Sequence, residues 1–560
     1  MHRSAALSLI LEIPLIRDEI ASFLSSSAHI VLSNHRKVSL FQDSSAIQQG
    51  LYRNSDNVRS IKSNCSYIFQ SLPQNDPFRN LVRLDSLVSE IHCTGIVDYT
   101  NTKRLLQFIK TNTSVREIIL SNFSLESGPI SRLLGDTIAQ HPGLEQVTIN
   151  CYRNADLSNI QEVLRGAVLS KVHKLTLTSR SKIFWSAELN DVMEAANELD
   201  AAPYLLLPPG HMATELKDLK LDADLRKSLN ITLLPLLRIS PNLERLFVPV
   251  MDVISTIKVL SPILEGWCPK LRHLEGGYSF ARDEHQAMLL RSCRELRTYI
   301  MRGSQPMGPL SMDALLHTHG HGRTLERLDI KCCSAIESRH LQLILTSCPN
   351  LTSFKTLSKS SIQSFNEPRL SILDLPVQGA GRRENAWICT GLRELYIGFT
   401  GFSTLQDQAS AKPFVDYIYT QLAALTELRT LHLAGEVFMT TGGYPTTADS
   451  AAWAFDFTVS SGLGKLQTLT KLRTLNIQKL RHHRMGRDEV EWVASNWPKL
   501  DSFCGPPDPA PPVLSSGGGG GDVAGREVNH HDPSSGSEAM IGYVRELMHR
   551  LPTLIVSVVV

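Results

Sequence analysis

The sequence predicts an α/β solenoid, with short parallel strands along a concave face, helices along a convex face and a short helical segment at the N-terminus. Three observations predict it. A phrase of the form L-x-x-L-x-L returns along the chain, as "HPGLEQVTI", "SPNLERLFV", "GRTLERLDI", "LTELRTLHLAG" and "LTKLRTLNI". The first apolar residues of these phrases are Val115, Leu144, Val172, Leu216, Leu243, Leu271, Leu296, Leu325, Leu351, Leu392, Leu428, Leu472 and Leu500, and most follow one another at about 25 to 29 residues. A stretch with helical spacing precedes the phrases, as in "EHQAMLLRSCREL" from Glu284 and "SRHLQLILTSCPNL" from Ser338.

The spacing falls within the leucine-rich-repeat range of about 20 to 29 residues. Within each phrase the second and third apolar residues are two apart, so both face the core and the residue between them faces out. The preceding stretch places Ala287, Leu290 and Leu296 at spacings one helix face can use. Each unit is therefore helix, tight turn and strand. A single unit cannot bury its apolar face, whereas a stack buries a continuous core. Four intervals are longer, at about 36 to 44 residues, and are expected to carry insertions or an extra helical turn.

Cysteine recurs just before the phrase and is read as ending the helix: Cys268 in "WCPKL", Cys293 in "SCREL", Cys348 in "SCPNL" and Cys389 in "ICTGL". One thiol per repeat places them in successive layers rather than in a metal cluster, and a free cysteine behaves as a small buried hydrophobe. The proline in "CPKL", "CPNL" and "WPKL" stops the helix.

Composition narrows the function classes. Apolar residues make up 42% of the 560, enough for a large core. The near-even balance of 57 basic and 55 acidic residues argues against a dedicated nucleic-acid binder. Ten cysteines in a chain of this length are not a disulfide scaffold. No apolar run is long enough for a bilayer span, and Glu12 and Pro14 interrupt the first apolar run, so the reading is a cytoplasmic or nuclear protein without a membrane segment.

The repeats are expected to occupy 81–504, after a poorly defined connecting segment at 31–80. Residues 505–538, rich in Pro, Gly and Ser, read as a flexible linker. Residues 539–560 read as a closing helix and strand, with Ile541, Val544, Leu547 and Leu551 at helical spacing.

The search for chemistry yields no catalytic constellation, and the reading is a non-enzyme without cofactor or metal. "HTHGHG" (His317 to Gly322) and "RHHR" (Arg481 to Arg484) read as solvated loops. "GGGGG" from Gly517 lacks the lysine and the strand–loop–helix context of a phosphate-binding loop. What remains is surface. The outward residues of successive strands are Ile119, Thr148, Thr176, Lys220, Phe247, Glu275, Ile300, Asp329, Lys355, Tyr396, His432 and Asn476. The run from Lys220 to His432 mixes charge with apolar and aromatic groups. That suits a protein ligand better than a nucleic acid, which favours one positive field. The candidates for substrate contact are Lys220, Phe247, Glu275, Ile300, Asp329, Lys355, Tyr396 and His432.

"LEIPLIRDEIASFL", Leu11 to Leu24, is a separate helical stripe within 1–30, and one reading is a cap on the end of the solenoid. Its Ile13-Pro14 opening, followed by Ile20, Phe23 and Leu24, together with the repeats, resembles the F-box/leucine-rich-repeat family, particularly its fungal F-box-like members. "EVEWVASNWPKLDSF" and "WICTGLRELYI" add to the resemblance. The motif is incomplete, because "SSSAHIVLSNHRKVSLF" carries neither the Leu-rich helix nor the Val-Ser-x-x-Trp ending of the family. The resemblance implies a substrate receptor of a Skp–cullin–F-box ubiquitin ligase. Ile13, Pro14, Ile16, Ile20, Phe23 and Leu24 would then meet a Skp-type adaptor, and the repeats would hold a protein substrate. A ligase-independent repeat scaffold is the alternative.

Overall fold

A computed structural model describes strands at 29–31, 60–64 and 90–94, most of 99–505, and residues 548–551 and 555–556. Within 99–505 the larger stretches outside the description are 180–211, 223–235, 249–263, 358–366, 376–385 and 436–454. The contacts divide the chain into two compact units, residues 1–277 with 292–294 and residues 278–291 with 295–560.

The first unit carries β1 (His29–Val31), β2 (Ser60–Asn64), β3 (Glu90–Thr94), β4 (Glu117–Phe123), β5 (Gln146–Cys151), β6 (Lys174–Ser179), β7 (Asp218–Asp222), β8 (Arg245–Val248) and β9 (His273–Gly276). Each pairs in parallel with the next. Its helices are α1 (Tyr99–Thr111), α2 (Gly128–Gln140) and α3 (Leu157–Leu169). Strand β2 lies inside 31–80, where the sequence gives no firm element, and β1 precedes it. The parallel ladder thus starts ahead of residue 81.

The second unit begins with α4 (Asp283–Ser292), whose last residue falls in the first. It continues with β10 (Thr298–Met301), α5 (Pro309–His317), β11 (Arg327–Asp329), α6 (Ser338–Ser347), β12 (Ser353–Lys355), β13 (Arg369–Ser371), β14 (Glu394–Thr400), α7 (Gln408–Ala423), β15 (Thr430–Ala434), β16 (Thr474–Lys479), α8 (Arg487–Asn496), β17 (Ser502–Cys504) and β18 (Ile555–Val556). Pairing is again parallel throughout. Parallel neighbours require a crossover, and among the described residues α1 to α8 each lie in such a crossover between strands. The fold is the α/β leucine-rich-repeat solenoid.

The phrase explains the register. Every anchor from Val115 to Leu500 is buried, none above 2% exposed. The residue after the anchor supplies a carbonyl that accepts two successive N–H groups of the next repeat. Arg116 O takes those of Glu145 and Gln146, and Glu326 O takes those of Thr352 and Ser353. These bonds satisfy the backbone at the strand entrance and lock one repeat to the next. Ala287 and Leu290 of α4, and Leu341, Ile344 and Leu345 of α6, are buried as their spacing predicts.

The four cysteines before the phrase are also buried, and burial pushes the thiols of Cys268, Cys293, Cys348 and Cys389 up to about 12. Thiols so protonated are packing groups rather than nucleophiles. Cys389 departs from the pattern in one respect, since residues 386–389 just before its phrase are not helical.

Two of the long intervals have visible causes. Between Leu351 and Leu392 the chain adds β13, which pairs with Gly398–Thr400 while β12 pairs with Glu394–Tyr396. The interval from Leu392 to Leu428 holds α7, a helix of 16 residues. At the other end, β18 pairs with Ser502 and Phe503 of β17, and Arg550 Nη2 lies 3.8 Å from Glu491 Oε1. Residues 506–547, which include the linker and most of the closing helix read from the sequence, lie outside the described residues.

The repeats also cap one another, which the sequence did not reveal. Helix α5 has only Gly308 at its own N-cap, with no side-chain bond. The carboxylate of Asp283, at the start of α4, accepts the N–H groups of Gly308, Leu310 and Ser311 at 2.8, 2.8 and 3.0 Å. A negative group at a helix N-terminus satisfies orphan donors and meets the positive end of the dipole. Asp283→Ala should therefore destabilise by about 1–3 kcal/mol, the range for a lost cap whose acceptor is charged, with Asp283→Asn intermediate. Urea unfolding of the three proteins measures it, and an alanine variant as stable as the parent would refute the capping role.

Candidate interaction surface

The strand registers place the outward residues in two rows, one per unit. In the first unit Ile119, Thr148, Thr176, Lys220, Phe247 and Glu275 are successive Cα partners. In the second, Ile300, Asp329, Lys355, Tyr396, His432 and Asn476 are. All eight sequence candidates for substrate contact therefore lie on the open face of a sheet.

Their exposure differs from expectation. Asp329, expected to be exposed, is only 4% so, and Phe247, Ile300, Tyr396 and His432 are buried too. The cause is lateral. Adjacent strands lie about 4.8 Å apart, so each row residue is walled by its partners on both sides. Asp329 sits between Ile300 and Lys355 and faces the ammonium of Lys331 at 3.4 Å. Tyr396 packs with Leu357 and Ala434. Lys220, Glu275 and Lys355 remain partly exposed.

Both rows repeat one motif, a lysine over the ring on the next strand. Lys220 Nζ lies 4.8 Å from the centroid of Phe247, and Lys355 Nζ lies 4.7 Å from that of Tyr396. Such contacts use the negative face of the ring. In the second unit the motif extends into a platform, because Tyr396 stacks on His432 with centroids 4.0 Å apart and planes 23° from parallel.

Lys355 also ion-pairs with Glu394 Oε2 at 2.7 Å, and the Ser353 hydroxyl donates to the same oxygen at 2.8 Å. Burial works against the Glu394 carboxylate. The hydrogen bonds from Lys355 and Ser353, with the charges of Lys355 and Arg327, outweigh it and hold the group below its ordinary range. The Tyr396 hydroxyl is pushed up to about 12, by burial first and then by the negative charges of Glu394 and Asp329. Tyr396 is thus a neutral ring at physiological pH.

Reading only the middle letter of the phrase missed Arg327, Ser353 and Glu394. They are aligned in a second row two residues earlier on the same strands. A spacing of two puts them on the same face, so the signal was present in the phrase.

The histidine-rich tract is not a solvated loop. His321 is fully buried, and its Nδ1 accepts the N–H of Leu296 at 3.1 Å. The ring proton is then on Nε2, which faces Leu290 O at 3.2 Å, while His319 Nε2 faces Arg291 O at 2.9 Å. Leu290 and Arg291 are in the last turn of α4, so the two rings cap carbonyls that the helix leaves open. Alternating polar letters conceal this role because the partner groups belong to the preceding repeat.

Among the described residues no group of three or more His, Cys, Asp or Glu side chains could hold a metal ion, and no helix is long and apolar enough to cross a membrane. Arg481 to Arg484 lie outside the described residues, as do Ile13, Pro14, Ile16, Ile20, Phe23 and Leu24. No family model matches the chain, and no curated protein matches it. Among solved structures, one similar chain is from "Crystal structure of TLR13-ssRNA13 complex", at 12% identity and a TM-score of 0.30. The alignment covers 75% of this chain and 59% of that one, so this chain spans less than two thirds of its length. A likeness at that level assigns this chain no ligand and no activity.

Proposed function

We propose that the chain is a protein-recognition module that performs no covalent chemistry itself, and that it serves as the substrate receptor of a Skp–cullin–F-box ubiquitin ligase in the cytoplasm or nucleus. The observation that carries the recognition reading is the Lys355–Glu394 ion pair on the open face, which reaches solvent and is backed by the buried, stacked rings of Tyr396 and His432. Together they combine a preorganised aromatic pair with mixed charge, the composition that concentrates binding energy at protein interfaces. The receptor part rests on the resemblance of Ile13-Pro14, Ile20, Phe23 and Leu24 to an F-box opening.

Capture of a purified Skp-type adaptor by the full chain tests it. The intact protein should bind, and Ile20→Ala with Phe23→Ala should weaken binding by about 30-fold or more, as expected for an anchor worth at least about 2 kcal/mol. If the intact chain fails to capture the adaptor where a complete F-box succeeds, the ligase-independent scaffold takes the place of the receptor.

A further inference from the structure

The residue that follows each anchor stands exposed or half-buried at the strand entrance, and at several rungs its charge is matched by the next repeat. Arg116 faces Glu145 at 3.7 Å, Arg297 faces Glu326 at 3.3 Å, and Arg473 faces Asp501 at 3.5 Å. One run is paired only at its last member, Arg473. Arg393, Arg429 and Arg473 occupy the position on three successive strands, β14, β15 and β16, and all three are exposed.

Their backbones are fixed as a column. Arg393 O accepts the N–H groups of Arg429 and Thr430, and Arg429 O accepts those of Arg473 and Thr474. At a strand spacing of about 4.8 Å the three Cα atoms span about 10 Å. Neither Arg393 nor Arg429 forms an ion pair among the described residues. Their carboxylate neighbour Glu427 is engaged by Lys471, and Glu394 is engaged by Lys355 and Ser353. The hydrogen bond from Lys471 and the charges of Lys471, Arg393 and Arg429 hold the Glu427 carboxyl below its ordinary range, a sign of the positive field at this edge. Like charges on neighbouring strands destabilise a sheet, so the stripe gains the fold nothing by itself.

We propose that Arg393, Arg429 and Arg473 form a docking stripe for an acidic segment of a protein partner, with Thr430 and Thr474 lending hydroxyl donors. The proposal rests on the recognition reading and names the chemistry of what is recognised. Guanidinium groups pair with carboxylates through two parallel hydrogen bonds, and three in a column select a cluster of carboxylates over a single one. Glu427, Glu394 and Asp501 stand among the arginines. A column of about 10 Å bounded by these carboxylates matches a short cluster of side-chain carboxylates rather than the extended positive track that a phosphate backbone needs.

The test is fluorescence anisotropy of a labelled deca-glutamate peptide titrated with the full chain. The peptide should bind at low salt and be released toward 1 M salt, where the screening length falls to about 3 Å. Arg393→Glu with Arg429→Glu should weaken binding at least tenfold without changing the unfolding midpoint, since both side chains are exposed. Arg116→Glu, in the first unit, should leave it unchanged. Absence of binding by the intact chain, or equal binding by the double variant, would overturn the stripe. So would a single-stranded ten-nucleotide RNA that binds more tightly than the peptide and loses its affinity in the same variant. Adaptor capture uses residues far from the stripe in sequence, so loss of one result with retention of the other identifies which proposal has failed.

Discussion

Leu328→Ala is expected to destabilise the protein by about 2–5 kcal/mol, whereas Asp329→Ala, one residue away, should move stability by no more than about 1 kcal/mol. Leu328 is fully buried on the core face of β11, between Tyr299 of β10 and Phe354 of β12, both themselves fully buried. Truncation removes the transfer energy of the side chain and leaves a cavity that a stack held by carbonyl ladders on both sides cannot readily close. Asp329 is also buried, so the contrast is not one of exposure. Its Oδ1 has no hydrogen-bond partner, and its Oδ2 meets Lys331 at 3.4 Å. Removing the carboxylate gives up a weak ion pair and relieves a desolvated oxygen, two effects of opposite sign. Urea unfolding of both variants measures the difference. Equal losses would mean that the carboxylate contributes to stability as much as the core leucine does.

This pair marks where the sequence was legible. Alternation within L-x-x-L-x-L reports which side of the sheet a residue takes, and Leu325, Leu328 and Ile330 are buried accordingly. Alternation does not report how closely neighbouring strands wall that side. A residue on the open face is screened by partners about 25 to 45 positions away, and no local pattern records them. The caps follow the same logic. Asp283 reads as an ordinary acidic residue in the first turn of α4, yet its carboxylate serves α5. His321 reads as part of a polar tract, yet its ring serves the end of α4. The rows of the candidate surface were legible because they inherit the register of the core. The ion pairs and stacks within the rows depend on which letters fall at equivalent positions of adjacent repeats. Aligning the phrases by their anchors exposes the column of Arg393, Arg429 and Arg473 and the pairing of Lys355 with Tyr396.

Gly166→Val should be among the most damaging substitutions in the first unit, with a loss of about 3 kcal/mol or more, the upper end of the range for overpacking. Helices α2 and α3 approach each other through Gly135 and Gly166. A Cβ on Gly166 would stand 2.2 Å from Gly135 O and 2.6 Å from Gly135 Cα, and a Cβ on Gly135 would stand 2.3 Å from Glu162 O. The obstructing atoms are backbone, so no rotamer change relieves the overlap, and the helices must move apart. Separation would loosen Leu134 and Ile138 of α2 from Val163, Leu164 and Ala167 of α3, all buried. It would also stretch the 2.7 Å ion pair that joins Arg165 to Asp136 across the seam. Even Gly166→Ala should lose about 1–3 kcal/mol, although alanine is the better helix former by about 1 kcal/mol in open surroundings. Gly266 supplies the control, because a Cβ there meets nothing within 4 Å, and Gly266→Ala should stay within about 0.5 kcal/mol of the parent. Thermal unfolding of the three variants decides the matter. A Gly166→Ala protein as stable as the parent would show that the two helices can separate at no cost, and that the glycine pair does not set their distance.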